Sequence, residues 1–218
     1  MAFWLEAPQV PKPDFKLYLI TDRTQTKGRD LLWLLEQALD AGAKAIQLRE
    51  KDLAGRDLFL LAEKASKLCQ NYGSSLFVNE RVDIALAVNA AGVQLGKASV
   101  PIAFARQLLG AQKLIGVSTH SLNEALEAQQ QGADFVLFGP VYFTPSKATY
   151  GAPQGVNKLK EIVEKISLPV YAIGGIKMEN ILDLRSIGVS GVALISAIMS
   201  SDAPKKATSD LLRMIGSA

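Results

Sequence analysis

Pro169–Ser196, PVYAIGGIKMENILDLRSIGVSGVALIS, is the stretch on which the reading of the whole chain turns. Two short apolar runs, Val170–Ile173 and Val192–Ile195, each end in small residues, Gly174-Gly175 after the first and Ser196-Ala197 after the second. Between them Met178–Ile187 has helical spacing, with Ile181, Leu182 and Leu184 on one face and Gly188 as a stop signal. The stretch therefore reads strand, helix, strand. Glycines at the C-terminal end of a strand let the backbone approach a ligand, and the N–H groups of the turn and of the next helix start can point at an anion. Alone, a Gly-Gly pair is more often a tight turn that binds nothing. A second small-residue strand end, one unit later, shifts the reading to a phosphate cup of the kind expected after strands seven and eight of a (β/α)8 barrel.

Working outward, the chain alternates apolar strand-like runs with amphipathic helix-like ones. Leu17–Thr21, Ala45–Leu48, Leu76–Asn79, Gly92–Leu95, Leu114–Val117 and Phe135–Phe138 precede the two strands above. Helical spacing marks Leu31–Ala41, Asp57–Tyr72, Val82–Asn89, Ile102–Leu109, Leu122–Gln131, Val156–Ile166 and Pro204–Ile215. Such alternation calls for a parallel sheet, and eight units select a closed barrel over an open doubly wound sheet. No G-x-G-x-x-G follows the first strand to support the open form. The expected fold class is thus α/β, a single (β/α)8 TIM barrel over 16–218 with an irregular, proline-bearing N-terminal arm over 1–15. Phe3 and Trp4 of the arm either pack on the barrel or on a neighbouring subunit, which leaves a homo-oligomer open, or belong to a partly ordered tail. The longest connection, Gly139–Gly155, is rich in Gly, Pro and hydroxyls and reads as a binding loop.

Composition narrows the function classes. With 24 basic and 21 acidic residues the net charge is +3, too balanced for nucleic acid as the main partner. A single cysteine, Cys69, sits on an apolar helix face and reads as core. No apolar stretch reaches membrane-span length and no signal sequence is evident, so the expectation is a cytoplasmic protein without a membrane partner.

In a barrel the strand C-terminal ends share one mouth. Those ends supply Thr21-Asp22-Arg23, Gln47 through Lys51, Asn79-Glu80-Arg81, Gln94 with Gly96, Lys97 and Ser99, Ser118-Thr119-His120, and Thr144, Ser146 and Lys147. Each cation singly would read as a solvated loop charge. Arg49, Lys51, Lys97 and Lys147 come from different strands, and their convergence suits a small substrate carrying phosphate or diphosphate. His120, the single histidine, reads equally as a proton donor at the mouth or as part of a helix start.

These motifs resemble the thiamin phosphate synthase superfamily of (β/α)8 barrels. The resemblance runs from about Leu17 to the C-terminus and rests on LYLITDR (Leu17–Arg23), QLREKD (Gln47–Asp52), FVNERVDIAL (Phe77–Leu86), GVSTHS (Gly116–Ser121), GPVYFTPSK (Gly139–Lys147) and AIGGI (Ala172–Ile176). It implies a transferase of thiamin biosynthesis that joins hydroxymethylpyrimidine diphosphate to hydroxyethylthiazole phosphate and releases diphosphate. By that resemblance Arg49, Lys51, Asn79 and Lys147 hold the diphosphate, with Gln47, Ser118, Thr144 and Ser146 contributing hydrogen bonds; Lys97, at a position where the chain departs from the family pattern, is a further substrate-binding candidate whose ammonium would supply part of the charge of a fully ligated magnesium. Gly175 and Ser196 bind the thiazole phosphate, with Gly174 and Ile195 beside them as substrate-binding candidates.

The chain departs from the synthase pattern where magnesium is expected. Glu80 and Ser99 stand where synthases typically carry Asp, leaving Glu80 as the expected ligand and one carboxylate fewer. The same replacements resemble the thiazole tautomerase branch, in which His120 would be the acid/base residue. A barrel that binds thiazole or thiamin phosphate without catalysis is a third reading. Retention of Arg49, Lys51, Thr144, Ser146 and Lys147, which a tautomerase does not need, favours the synthase.

Overall fold

The structure, a computed structural model, describes residues 11–144 and 152–216. Eight parallel strands pair in sequence order: β1 (Leu17–Ile20), β2 (Ala45–Leu48), β3 (Ser75–Asn79), β4 (Gly92–Leu95), β5 (Leu114–Thr119), β6 (Phe135–Phe138), β7 (Val170–Ile173) and β8 (Gly191–Leu194). Tyr18 of β1 is in register with Ala45 of β2 on one side and Ala193 of β8 on the other. The sheet is therefore closed, and the expected (β/α)8 barrel is the fold. Around it lie α1 (Leu31–Asp40), α2 (Gly55–Asn71), α3 (Val82–Ala87), α4 (Ile102–Leu109), α5 (Leu122–Gln130), α6 (Gly155–Lys165), α7 (Ile181–Ile187), α8 (Ser196–Met199) and α9 (Pro204–Gly216).

Each strand points alternate side chains out and in. Outward residues such as Leu17, Leu19, Ile46, Leu48, Val93 and Val136 join the helices in one apolar layer. Inward, a second cluster of Phe15, Tyr18, Phe77, Phe135 and Tyr171 packs ring on ring, with centroids from 4.8 Å for Phe15–Tyr171 to 5.9 Å for Tyr18–Phe135. This aromatic plug closes the N-terminal end of the barrel. Phe15, the last residue assigned to the arm, is irregular in backbone yet 2% exposed, and its carbonyl accepts a 2.9 Å bond from the Tyr171 hydroxyl. Phe3 and Trp4 lie outside the described residues.

Two local differences from the sequence reading have clear causes. The helix expected from Met178 begins only at Ile181, because the Asn180 side chain accepts from Lys177 N–H at 2.8 Å and donates to the Gly175 carbonyl at 2.9 Å. Those bonds hold the intervening residues as a turn. A 3-10 turn at Arg23–Gln25 and the one-turn helix α8 were not expected, since neither is long enough to show a period. Among the described residues no helix is long and apolar enough to cross a membrane.

Room for the plug depends on glycine. A Cβ on Gly116, on the inner face of β5, would lie 2.6 Å from Cε2 of Phe135 and would also collide with the Gln94 amide. Phe135 is held by four other rings and has nowhere to go. Gly116→Ala is expected to lower the unfolding free energy by about 1–3 kcal/mol, measured by denaturant titration. An unchanged midpoint would contradict this packing.

Candidate active site

Above the plug the inner faces of β2 to β5 turn polar, while Ile20, Leu137 and Ile173 keep those of β1, β6 and β7 apolar. Parity places Gln47 of β2, Asn79 of β3, Gln94 of β4 and Ser118 of β5 on the same side as Phe77 and Leu114, facing the barrel axis near the C-terminal rim. Asn79 is in register with Gln94, and the Gln94 amide meets the Ser118 hydroxyl at 3.2 Å. Gln47 is 1% exposed, and its Nε2 has no hydrogen-bond partner among the described residues. The Tyr18 hydroxyl nearby is also without a bond of good geometry, and burial pushes it well above the usual phenol range, so it stays neutral. An unpaired buried donor costs about 1–3 kcal/mol, so a ligand acceptor would relieve it.

The rim cations divide into two sets. Arg23 is ion-paired with Asp52, and Arg81 with Asp83 at 2.6 Å. Arg49, Lys51 and Lys97 have no ion pair among the described residues. The Arg49 backbone is held in place, its N–H donating to Thr21 Oγ1 at 2.9 Å. Between Arg49 and Lys51, Glu50 turns the other way; its Oε2 accepts from Arg23 N–H at 3.1 Å, and burial first of all pushes its carboxyl above the usual range. One residue thus anchors the β1 turn while its neighbours keep free charges at the mouth.

Opposite, the ends of β7 and β8 form a cavity of about 430 Å³ lined by Gly174, Gly175, Ile195 and Ser196, with Thr144 and Gln25 on its other walls. The chain leaving β6 runs beside the glycines: Val141 N–H donates to the Ile173 carbonyl at 2.9 Å and Tyr142 N–H to that of Gly174 at 3.0 Å. Gly175 has φ +66°, and a Cβ there would be 2.8 Å from the Tyr142 carbonyl carbon. Glycine is thus required both by conformation and by space. The first-turn N–H groups of α8 begin at Ser196, facing the same cavity.

Lys97, Ser99 and Ser118 share a second cavity of about 410 Å³ between the ends of β4 and β5. Ser99 Oγ accepts from Gly96 N–H at 2.8 Å, and Glu80, in the left-handed region at φ +61°, lays its carboxylate over the same Gly96. His120 is exposed; its N–H donates to Glu124 Oε2 at 2.7 Å and its Nδ1 is 3.2 Å from the same oxygen, while Ser121 caps α5. Of the two roles read from sequence, the cap falls to Ser121, and His120 sits at the rim with its ring held by Glu124. Ser146 and Lys147 lie outside the described residues. Gln25 and Phe143 were missed as site residues: Gln25 belongs to a turn too short to read, and Phe143 looks like an ordinary loop residue.

A family model described as thiamine monophosphate synthase matches residues 17–198. The thiamine-phosphate synthase of Clostridium novyi (strain NT) is 45% identical over 87% of this chain and 93% of its own length. That of Clostridium acetobutylicum is 44% identical, covering 86% and 89%. The solved thiamine phosphate pyrophosphorylase from Pyrococcus furiosus superposes with a TM-score of 0.85 at 39% identity, covering 93% of this chain and 96% of that one.

Asp22 links the β1 turn to the cavity, capping the 3-10 turn through Thr24 N–H at 3.1 Å and holding Gln25 Nε2 at 2.6 Å. Burial pushes its carboxyl up, but the bonds from Thr24 and Gln25, with the Arg49 charge, outweigh this and leave it below the usual carboxylate range. A lowered folded value stabilises above the unfolded pKa, and the gain is lost as pH falls through the folded value. Asp22→Ala is expected to cost about 1 kcal/mol at neutral pH, and the deficit to shrink as pH drops below about 3.9. Unfolding titrations of both proteins across pH check this; a deficit independent of pH would refute it.

Proposed function

The chain belongs to the thiamine monophosphate synthase family, and on that premise we propose that it couples hydroxymethylpyrimidine diphosphate to hydroxyethylthiazole phosphate, giving thiamine phosphate and diphosphate. The observation that carries this reading is one barrel rim with unpaired cations on one arc and a glycine-walled cavity on the other. The two arcs suit two anionic substrates of different charge.

The reaction breaks the bond between the pyrimidine methylene carbon and the diphosphate oxygen and forms one from that carbon to the thiazole nitrogen. The electron pair of the broken bond leaves on diphosphate, so the chief demand on the protein is stabilisation of developing negative charge. Arg49 and Lys51 at the end of β2 and Lys97 after β4 supply it, joined by Lys147 from the β6 loop. Asn79 joins the diphosphate side, and Gln47 and Ser118 orient the pyrimidine, the unpaired Nε2 of Gln47 donating to it. The thiazole phosphate is held by backbone N–H groups at Gly175 and Ser196, with Thr144 and Ser146 nearby in sequence on the loop side. No nucleophilic side chain is required. Arg49→Ala is expected to lower kcat/KM for the pyrimidine diphosphate by about 10²–10³, followed by diphosphate release.

Among the described residues no group of three or more His, Cys, Asp or Glu could hold a metal. The Glu80 carboxylate beside the Ser99 hydroxyl fits the smaller share that magnesium needs when substrate phosphates and water complete its shell. Magnesium held by Glu80 would offset charge on the departing diphosphate. Lys97, unpaired next to Glu80 and Ser99, contributes a fixed positive charge to the same end. Lys97→Ala is expected to slow turnover, most at limiting magnesium; turnover equal to the parent at all magnesium levels would reject this role.

The tautomerase reading keeps one structural support, the His120 ring fixed by Glu124. Incubation with both synthase substrates and magnesium, with the thiazole tautomer assayed in parallel, separates the two. Thiamine phosphate formation is the expected result. Tautomer conversion without thiamine phosphate would overturn the synthase assignment.

A further inference from the structure

The β1–α1 segment reaches across the barrel seam to the back of the cavity at β7 and β8. Arg29 is half-buried there and its guanidinium spans two elements. Nε donates to the Thr26 carbonyl at 2.8 Å, Nη2 to the Met199 carbonyl at 2.9 Å and Nη1 to the Ser201 carbonyl at 2.5 Å. Met199 ends α8, and Ser201 follows it. Ser200 Oγ adds a 3.2 Å bond to the Gln25 carbonyl. Lys27 and Asp202 pair at 2.7 Å on the same seam, both exposed.

A helix of four residues is too short to hold itself, since nucleation costs more than one turn of bonds returns. Its terminal carbonyls need partners from outside, and a cation at the C-terminal end complements the helix dipole. Arg29 supplies both at the end of α8 facing away from the cavity, while Ser196 and Ala197 at the other end line it. Arg29 does not itself line that cavity. We infer that Arg29 is a positioning residue for the phosphate subsite: its fork fixes α8 from behind so that the Ser196 end meets the substrate anion in a set orientation. The inference rests on the assignment of that cavity to the thiazole phosphate and assigns the β1 turn a part in binding it.

The geometry separates Arg29 from its neighbours. Three charge-assisted bonds in a partly buried site are worth far more than an exposed ion pair, so the Lys27–Asp202 pair serves as the internal control. Arg29→Ala and Arg29→Lys are to be compared with Lys27→Ala in the full chain. In Arg29→Ala the KM for thiazole phosphate is expected to rise at least about tenfold, with the KM for pyrimidine diphosphate changing less than about twofold. Arg29→Lys, which keeps the charge but loses the fork, is expected to fall between. Added guanidinium ion should lower the raised KM in Arg29→Ala, an effect that general loss of stability would not produce. Melting curves identify any variant that fails to fold, in which case Arg29→Lys carries the comparison.

Equal increases in both KM values, or none in either, would overturn the inference, as would a Lys27→Ala effect as large as that of Arg29→Ala. Titration with inorganic phosphate by calorimetry gives an arm independent of turnover. Weaker phosphate binding in Arg29→Ala than in the parent supports the inference even if the parent makes no thiamine phosphate, a result that would sink the functional assignment alone. Unchanged phosphate affinity would overturn the inference while leaving that assignment standing.

Discussion

The alternation of side chains along short parallel strands, once the ring is closed, decides everything else in this molecule. A strand of four residues gives the interior only two side chains. The lower ones include the aromatic plug, while the upper ones are polar on β2 to β5, at Gln47, Asn79, Gln94 and Ser118, and apolar on β1, β6 and β7, at Ile20, Leu137 and Ile173. In Ile46-Gln47-Leu48-Arg49 this parity sends the aliphatic residues to the helices and aims Gln47 and Arg49 at the axis. A shift of one residue would exchange those roles and remove both core and site.

Under the proposed function, the two halves of the rim would recognise their anions in two different ways. On the β2 and β4 side, side-chain cations carry the charge, and Arg49, Lys51 and Lys97 form no ion pair among the described residues. Glu50 turns away to the β1 turn, and Asp52 and Asp83 are taken by Arg23 and Arg81. On the β7 and β8 side the lining is glycine, apolar side chains and backbone, with N–H groups and a short helix in place of full charges. A diphosphate that must leave bearing charge suits the first, and a phosphate that only anchors suits the second. The net charge of +3 hides this division, because it reports the sum and not the placement.

Much of this was legible from residues alone, for physical reasons. Apolar runs bounded by Gly, Pro or polar clusters located all eight strands, since a strand buried on both faces has little freedom in composition. Gly174-Gly175 marked the strand end at which positive φ values and the tight approach of the β6 loop exclude a side chain. Features built from single bonds between distant segments were not legible. Phe15 looks like the end of a proline-bearing arm until the barrel floor is seen to need a fifth ring, and the late start of α7 depends on one Asn180 side chain. Gln25 and Arg29 gain their roles only from α8, about 170 residues further on, whose partners no periodicity could identify. His120 illustrates the limit from the other side: its location at the rim was readable, but the Glu124 contact that orients it was not.

If one rim gathers both anion sites, a crystal structure of the protein with thiamine phosphate and diphosphate bound will show both products on it. The monophosphate is expected on the backbone N–H groups of Gly175 and Ser196, the diphosphate against Arg49 and Lys51, and the pyrimidine over Gln47 and Ser118. A product molecule whose monophosphate sat on the Arg49 side, or anywhere outside the β7–β8 cavity, would contradict this.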